Sequence, residues 1–137
     1  MAAVVVDTCV ASFVFKGDSR AELYRPHRRG NLLVISFMTL AELYRWPLEA
    51  DWGEAKRERL EAYLRGYVVY PSNRALCREW AGAADEARRN GMPIHESDAW
   101  IAATALINGV PLVTNNPRHY DGIPRLTLIT ESLPPDV

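Results

Sequence analysis

The sequence has few of the residues that build several common kinds of functional site. It has two cysteines, Cys9 and Cys77, which by themselves form neither a disulfide framework nor a zinc cluster. We expect both to be reduced thiols. The three histidines also lack the spacing of zinc ligands, and they are His27, His95 and His119. A zinc site is therefore not expected.

Long apolar runs and leader-like segments are also missing. The longest apolar runs, such as Ala2–Val6 and Leu32–Ile35, are far too short to span a bilayer. The first residues lead directly into a strand-like segment, without a basic region or a cleavage signal. We therefore expect a cytoplasmic protein with no membrane segment.

The chain carries no large excess of either charge. Its formal net charge is −1, so the molecule as a whole does not attract nucleic acid. The phosphate-binding motifs GxxxxGK and GxGxxG are absent, and no Ser–His–Asp set is evident. Any binding of nucleic acid must therefore come from local basic patches or from a metal ion.

Five segments rich in β-branched and aliphatic residues are predicted to be strands. They are Ala2–Asp7, Leu32–Phe37, Tyr67–Tyr70, Pro111–Thr114 and Leu126–Thr130. The first two are continuous apolar runs, which are typical of strands that are buried on both faces.

Four segments between these strands have helical patterns. They are Thr39–Trp46, Glu54–Arg65, Ala75–Arg89 and Asp98–Asn108. Pro47 is expected to interrupt or restart the first helix. Asn73 is expected to cap the third helix, and Ser97 or His95 the fourth.

The alternation of strands and helices predicts an α/β fold. We expect a single domain over residues 1–133, with a central, mostly parallel sheet of four to five strands flanked by helices on both faces. Residues 134–137 are expected to form a short C-terminal tail. In such sheets, functional sites gather at the carboxyl ends of the strands.

Three carboxylates stand where they could carry chemistry, although each also has a structural explanation. Asp7 ends the first strand, where it could instead cap the following turn. Glu42 lies on a short, mostly apolar helix, where a lone glutamate is usually just solvated. Asp98 heads the core-facing stripe of its helix, where a carboxylate is unfavourable unless it is paired or bound to metal. The helix N-terminus could also satisfy Asp98.

The positions of these three acids predict that they converge on one edge of the sheet. Like charges at close range would raise the pKa of one another's carboxyl groups. A divalent cation with oxygen ligands removes this repulsion. Mg²⁺ or Mn²⁺ suits such a set of carboxylates.

Four stretches of the sequence have the order and spacing of a known family. They are VVVDTCV, ISFMTLAELYR, ESDAWIAATALINGVPLVTNN and NPRHYDGIPRLTLI, and they cover nearly the whole chain. On these stretches the sequence resembles the PIN-domain ribonucleases, in particular the VapC-type toxins of type II toxin–antitoxin pairs. The segment that begins near Asp98 and continues into LVTNN is the most specific of them.

The resemblance implies a PIN-like domain that acts as a metal-dependent endoribonuclease. In such a protein, Asp7, Glu42 and Asp98 would be the catalytic acids and would hold Mg²⁺ or Mn²⁺. The reaction would hydrolyse an RNA phosphodiester bond and leave a 5′-phosphate.

The family's variable fourth acidic position falls on an amide in this chain. By motif position that residue is Asn116, so we expect one well-held metal ion and leave a second ion open. Asp121 could substitute from the next loop. Thr8 and Thr114 are expected to donate hydrogen bonds to the carboxylates, and Thr114 is also a possible accessory ligand.

The resemblance also implies partners, namely an RNA substrate, a cognate antitoxin and a second copy of the chain in a homodimer. We expect helical surface around Phe13–Leu23 and Leu43–Tyr63 to bind protein partners, because an exposed apolar strip there would be a liability. The aromatic residues that suggest such a strip are Phe13, Phe15, Trp46 and Trp52.

Other classes of protein share parts of this pattern. A PIN-like module without the fourth acid could bind RNA and not cleave it. Aspartyl phosphatases need a second Asp where Cys9 stands, and receiver domains need a Lys near the last strands, whereas no Lys follows Lys56. The non-cleaving module is therefore the main alternative.

A basic cluster, Arg25–Arg29, precedes the second predicted strand. We expect it to be a solvated loop. A contact with phosphate is the alternative function for this cluster.

Overall fold

The computed structural model describes residues 2–131, so the predicted tail at 134–137 and the domain boundary at 133 lie outside the described residues. The strands are β1 (Ala3–Val6), β2 (Leu32–Ser36), β3 (Val68–Tyr70), β4 (Leu112–Val113) and β5 (Leu128–Ile129). The helices are α1 (Thr8–Lys16), α2 (Ala21–Arg28), α3 (Phe37–Glu49), α4 (Glu54–Leu64), α5 (Arg74–Arg89) and α6 (Glu96–Asn108), with a 3₁₀ helix at Pro117–Tyr120. None of the helices within residues 2–131 has the length and apolarity needed to cross a membrane.

The five strands form one parallel sheet in the order β3-β2-β1-β4-β5. The chain builds outward from β1 to β3 and then returns to place β4 on the other side of β1. The direction of winding therefore reverses between β1 and β4, and a crevice opens at the carboxyl ends of strands at such a point. This sheet confirms the predicted α/β fold.

Helices cover both faces of the sheet, as predicted. The side chains of β1 alternate between the two faces, with Val4 and Val6 on one side and Val5 on the other. The first face packs against α1–α4 and the second against α5, α6 and the segment that follows β4. All three valines are almost fully buried, which explains the continuous apolar run of β1.

Two of the predicted helix caps are confirmed by their hydrogen bonds. The Asn73 side chain accepts a hydrogen bond from the Leu76 N–H at 2.8 Å and begins α5. At α6 the cap is His95, whose ring accepts from the Ser97 N–H at 3.3 Å. The cap of α6 fixes the first turn of this helix, which carries Asp98.

The prediction of a loop at the basic cluster is wrong for residues 25–28, which lie in α2. Helical surface was expected around Phe13–Leu23, but the bounds of α1 and α2 were not predicted. Pro26 and the short length of α2 conceal its helical pattern. Tyr24, which has no exposed surface, anchors α2 to the core, so tertiary packing stabilises this helix.

Pro47 does not interrupt α3, contrary to the prediction. It lies in the last turn of the helix, where its missing N–H removes only one intrahelical hydrogen bond. Its side chain is buried, and its carbonyl accepts a hydrogen bond from the Trp52 N–H at 3.0 Å. Burial of the Pro47 side chain and the hydrogen bond from Trp52 therefore stabilise the last turn of α3, which ends at Glu49.

Candidate metal centre

Asp7 lies where β1 ends and α1 begins, beside the point where the sheet reverses its winding. It is the N-cap of α1, and its Oδ1 accepts a hydrogen bond from the Thr8 N–H at 2.7 Å. Its Oδ2 accepts from the Thr114 hydroxyl at 2.7 Å and from the Tyr120 hydroxyl at 2.9 Å. Asp7 is only 5% exposed, so the cap predicted as an alternative to a functional role coexists with a deeply buried carboxylate.

Glu42 reaches the same place from α3. The Thr8 hydroxyl donates a hydrogen bond to Glu42 Oε1 at 2.8 Å and lies 3.0 Å from Thr39 Oγ1. Thr8 therefore touches both acids, Asp7 through its backbone and Glu42 through its side chain. The hydrogen bond that Thr8 was expected to donate to a carboxylate is thus the one that it donates to Glu42.

Asp98 approaches from the first turn of α6. Its Oδ2 lies 3.2 Å from His119 Nδ1, and its side chain is 19% exposed. The positive end of the helix dipole also favours a carboxylate at this position. Asp98 is thus half-buried, as Glu42 is, whereas Asp7 is buried, and it lines the cleft described below.

The three acids influence one another electrostatically. Burial raises the pKa of the Asp7 carboxyl, the Thr114 and Tyr120 hydroxyls lower it, and the charge of Asp98 raises it again. Burial likewise raises the pKa of Glu42, and the charges of Asp7 and Asp98 add to this rise. The fold therefore brings three carboxylates close enough to repel one another at a buried sheet edge.

The acids at this edge are side chains of the type that binds hard divalent cations. Within residues 2–131, no three side chains of His, Cys, Asp or Glu already stand together as a ready-made metal cluster. An ionised carboxylate has about four acceptor positions, and Asp7 uses one on Oδ1 and two on Oδ2. One position on Asp7 Oδ1 therefore remains available. Carboxylate oxygens suit Mg²⁺ or Mn²⁺ better than Zn²⁺.

Two candidates for a fourth ligand, Thr114 and Asn116, add no carboxylate to the three acids. Thr114 is fully buried and bound to Asp7. The Asn116 side chain is exposed, and its N–H donates to Thr114 Oγ1 at 3.0 Å. The neighbouring Asn115 is held by the Tyr24 hydroxyl, which donates to its Oδ1 at 2.6 Å.

Two residues of the site have no signal in the sequence. Tyr120, which is buried, donates to Asp7, and His119 pairs with Asp98. Both lie on the 3₁₀ helix after β4, and a Tyr next to a His in a polar loop predicts neither contact. The aromatic character of Tyr120 suggests only that this loop packs against the sheet, and it does not indicate a contact with Asp7.

Two openings reach the acids, one lined by Asp98 and the other by Glu42. The first, which we name the α6 cleft, has a volume of about 660 Å³. Its lining residues come from the start of α6 and from the 3₁₀ segment, and they are Met92, Pro93, His95, Asp98, Arg118, His119 and Asp121. The second, the α1–α3 groove, has a volume of about 340 Å³ and includes Thr8 and Glu42.

The aromatic residues expected on a partner surface form a packed cluster. Phe13 is buried, while Phe15, Trp46 and Trp52 are half-buried and pack against the core. The ring centroids of Phe15 and Trp52 are 5.5 Å apart, and those of Trp46 and Trp52 are 4.6 Å apart. These four residues therefore do not form the exposed strip that was expected.

Comparison with known proteins connects this geometry to one family. The family model described as PIN domain matches residues 4–123. The chain is 31% identical to ribonuclease VapC4 of Mycobacterium tuberculosis over 98 residues, which cover 70% of this chain and 75% of the relative. It is 29% identical to ribonuclease VapC1 of Haemophilus influenzae over 122 residues, which cover 87% of this chain and 90% of the relative.

Solved structures give the same result for the fold. VapBC2 from Rickettsia felis, bound to a DNA fragment from their promoter, matches with a TM-score of 0.80 at 22% identity, covering 93% of this chain and 98% of the other. VapBC-1 from nontypeable Haemophilus influenzae matches with a TM-score of 0.79 at 25% identity, covering 93% and 97%. The chain therefore belongs to the PIN-domain family, as a VapC-type ribonuclease toxin.

Proposed function

We propose that this protein cleaves RNA with the help of one divalent cation, Mg²⁺ or Mn²⁺, held by Asp7, Glu42 and Asp98. The observation that carries the proposal is the state of Asp7. Its carboxylate is nearly fully buried beside two other acids, and its hydrogen-bond donors within the described chain are all neutral groups. A buried carboxylate with no cationic partner is unfavourable, and a bound cation removes that penalty.

Two of the acids are oriented by hydrogen bonds from neutral side chains that leave acceptor positions on the carboxylates available for a cation. Thr114 and Tyr120 hold Asp7 through one oxygen, and Thr8 holds Glu42. When bound, the cation would neutralise the acidic centre and stabilise the charge that develops on the phosphodiester. In the hydrolysis, the water oxygen bonds to phosphorus, and the 3′ oxygen leaves with a proton. The products would be a 5′-phosphate and a 3′-hydroxyl.

One ion is proposed because the fourth position offers no carboxylate close to the other three. Asn116 is an exposed amide, and Asn115 next to it is engaged by Tyr24. Asp121 lines the α6 cleft and is the remaining candidate for an accessory ligand. Arg118 lines the same cleft and could meet the phosphate of an RNA strand.

The proposed partners are a cognate antitoxin and a second copy of the chain. Support for the antitoxin comes from solved structures of similar fold that are VapBC complexes, such as those from Rickettsia felis and Haemophilus influenzae. On this chain, Tyr44 and Leu48 of α3 are exposed apolar side chains, 41% and 67% exposed, and could contribute to such an interface. We propose the cytoplasm as the place of action, where an RNA substrate is accessible.

Incubation of the purified protein with a mixture of RNAs should test the reaction. We expect cleavage with Mg²⁺ or Mn²⁺, none with EDTA, and recovery when either metal is returned in excess. Sequencing of the RNA ends should find 5′-phosphates. Cleavage in EDTA, or cyclic 2′,3′-phosphate ends, would contradict the proposed mechanism. Tight RNA binding without cleavage in either metal would support the non-cleaving module instead.

Metal ions should stabilise the fold more at neutral pH than in mild acid. The pKa values of Asp7 and Glu42 are raised above the usual 3.8 and 4.5, so the folded protein binds these protons more tightly than the unfolded chain does. Without metal, their contribution to stability is largest below the unfolded pKa and is lost as pH rises through the folded pKa. A divalent cation binds the ionised form, so its stabilising effect should increase as these groups ionise.

Thermal unfolding at pH 5 and pH 7.5, with and without Mn²⁺, would measure this effect. At about a hundredfold excess of metal over Kd, the stabilisation is about 2.7 kcal/mol, or roughly 5–10 °C in Tm. Sodium chloride at the same ionic strength is the control and should give no comparable rise. An equal increment at both pH values would argue against carboxylates as the ligands.

A further inference from the structure

The α1–α3 groove leads away from the proposed metal centre and is not used by the mechanism above. It begins at Thr8 and Glu42 and continues between the two helices. The helix α1 lines it with Thr8, Ser12 and Lys16, which stand four residues apart and share one face. The helix α3 lines the other wall with Glu42, Leu43, Arg45, Trp46 and Glu49.

The positions of Thr8 and Lys16 on α1 give the distance from the start of the groove to the lysine. A helix rises about 1.5 Å per residue, so Lys16 lies about 12 Å beyond Thr8 along the axis. Successive phosphates of a stacked strand advance by about 3.4 Å and by more in an extended strand. A strand that runs from the metal centre along the groove would therefore place a phosphate at Lys16 about two to four nucleotides from the cleavage point, fewer for an extended strand and more for a stacked one.

Lys16 is the cation that is available in this groove. Its side chain is exposed, and its ammonium lies 5.7 Å from the Trp46 ring centroid and 5.9 Å from that of Phe13. Among the described residues, no carboxylate forms an ion pair with it, whereas Arg45 is paired with Glu49. The aromatic rings hold the ammonium over the groove without neutralising its charge.

We infer that Lys16 binds a backbone phosphate of the RNA substrate, about two to four nucleotides from the bond that is cleaved. The inference rests on the proposed function, because the groove opens directly on the proposed metal centre. A polyanion fits best, because the two openings that reach the acids each carry a cation, Lys16 in the α1–α3 groove and Arg118 in the α6 cleft. An attractive cation on the path offsets the repulsion from the acidic centre.

The two lysines of the chain provide a matched pair for the test. Lys56 on α4 is also exposed and also lies over a tryptophan, with its ammonium 4.1 Å from the Trp52 ring centroid. It does not line the α1–α3 groove. Lys16→Ala and Lys56→Ala therefore remove the same charge and the same kind of aromatic contact, and only the first removes the proposed phosphate ligand.

Cleavage kinetics should separate the two variants. With RNA that extends four nucleotides on both sides of the cleaved bond, Lys16→Ala should raise KM about three- to tenfold with kcat unchanged, and Lys56→Ala should change neither. The dependence of log affinity on log salt should become shallower by about 0.7 for Lys16→Ala alone. With RNA that has one nucleotide on each side, Lys16→Ala should match the wild type. Lys16→Gln should behave like Lys16→Ala.

Several results would overturn the inference. Equal effects of the two lysine variants would indicate a general electrostatic effect, and an equal effect on short and long RNA would place Lys16 outside the strand path. Unchanged KM together with weaker binding of a protein partner would assign the groove to an acidic peptide. Binding measured in Ca²⁺ separates this inference from the proposed function. Lys16-dependent binding without cleavage in Mn²⁺ would refute the nuclease and support the subsite.

Discussion

Changing Glu42 to Gln, or Asp98 to Asn, should lower the rate of RNA cleavage by on the order of a hundredfold or more while the protein stays folded. Each substitution removes a negative charge that the proposed cation needs. Glu42→Gln keeps an oxygen that can accept the hydrogen bond from Thr8, and Asp98→Asn keeps the size and shape of the side chain that lies 3.2 Å from His119 Nδ1. The measurement is the single-turnover rate in Mn²⁺, with circular dichroism to confirm the fold.

The control for both variants is Glu96→Gln. Glu96 lies on the same first turn of α6 as Asp98 but is exposed, and its side chain touches none of the three acids in the described contacts. Its substitution removes the same unit of charge and should leave the rate nearly unchanged. A wild-type rate in Glu42→Gln and Asp98→Asn would exclude these acids from the reaction. A matching loss in Glu96→Gln would indicate an effect of net charge.

The same two variants should also be at least as stable as the wild type when metal is absent. In EDTA, the charges of Glu42 and Asp98 oppose the ionisation of their neighbours, so removing one relieves repulsion. The Tm in EDTA should therefore be unchanged or higher, and the gain from Mn²⁺ should be smaller than in the wild type. A loss of activity without a loss of stability is typical of residues that serve the reaction and not the fold.

Gly122→Ala should produce the largest loss of stability of any change proposed for this protein. A Cβ at this buried position would lie 2.8 Å from Ala87 Cβ and 2.9 Å from Ala87 Cα, and it would also meet the Met92 carbonyl oxygen. Two of these atoms belong to the backbone, so they cannot move aside as a flexible side chain could. The Gly122 carbonyl also accepts a hydrogen bond from Asn90 Nδ2 at 2.8 Å, which a shifted loop would strain.

We expect Gly122→Ala to lower the free energy of unfolding by about 1–3 kcal/mol. Gly82→Ala is the control, because Gly82 lies in the interior of α5 and a Cβ there meets no atom within 4 Å. That substitution should raise the free energy of unfolding by about 0.5–1 kcal/mol. Urea unfolding followed by circular dichroism measures both changes. Equal signs for the two variants would contradict the close approach at Gly122.

Local patterns in the sequence were sufficient to predict most of the sheet and several helix ends. The apolar runs identify the five strands within a few residues, and Asn73 and His95 begin the helices as expected. The same patterns place Asp7 at a strand end and Asp98 at a helix start. These features depend on neighbours in the chain, and so they can be inferred without knowledge of the fold.

Other features escaped prediction because distant contacts outweigh local preference. Pro26 lies inside α2 and Pro47 inside α3, and a proline is unfavourable in a helix. Buried Tyr24 and the buried side chain of Pro47 nevertheless stabilise the two helices. The hydrogen-bond partner of the Asn115 side chain could also not be predicted from the sequence. Only the fold shows that the Tyr24 hydroxyl engages it.

The three acids, Asp7, Glu42 and Asp98, illustrate the same division. The sequence by itself determined their order, the place of Asp7 at a strand end and of Asp98 at a helix start, and the parallel sheet whose edge they were expected to share, because periodicity and spacing encode these properties. Only the tertiary structure decided that the Tyr120 hydroxyl joins Thr114, which was expected, on the same oxygen of Asp7. Thr114 and Tyr120 stand 107 and 113 positions away along the chain, and they meet Asp7 because β4 pairs with β1. Contacts at such separations follow from how the elements pack and leave no pattern in the local sequence.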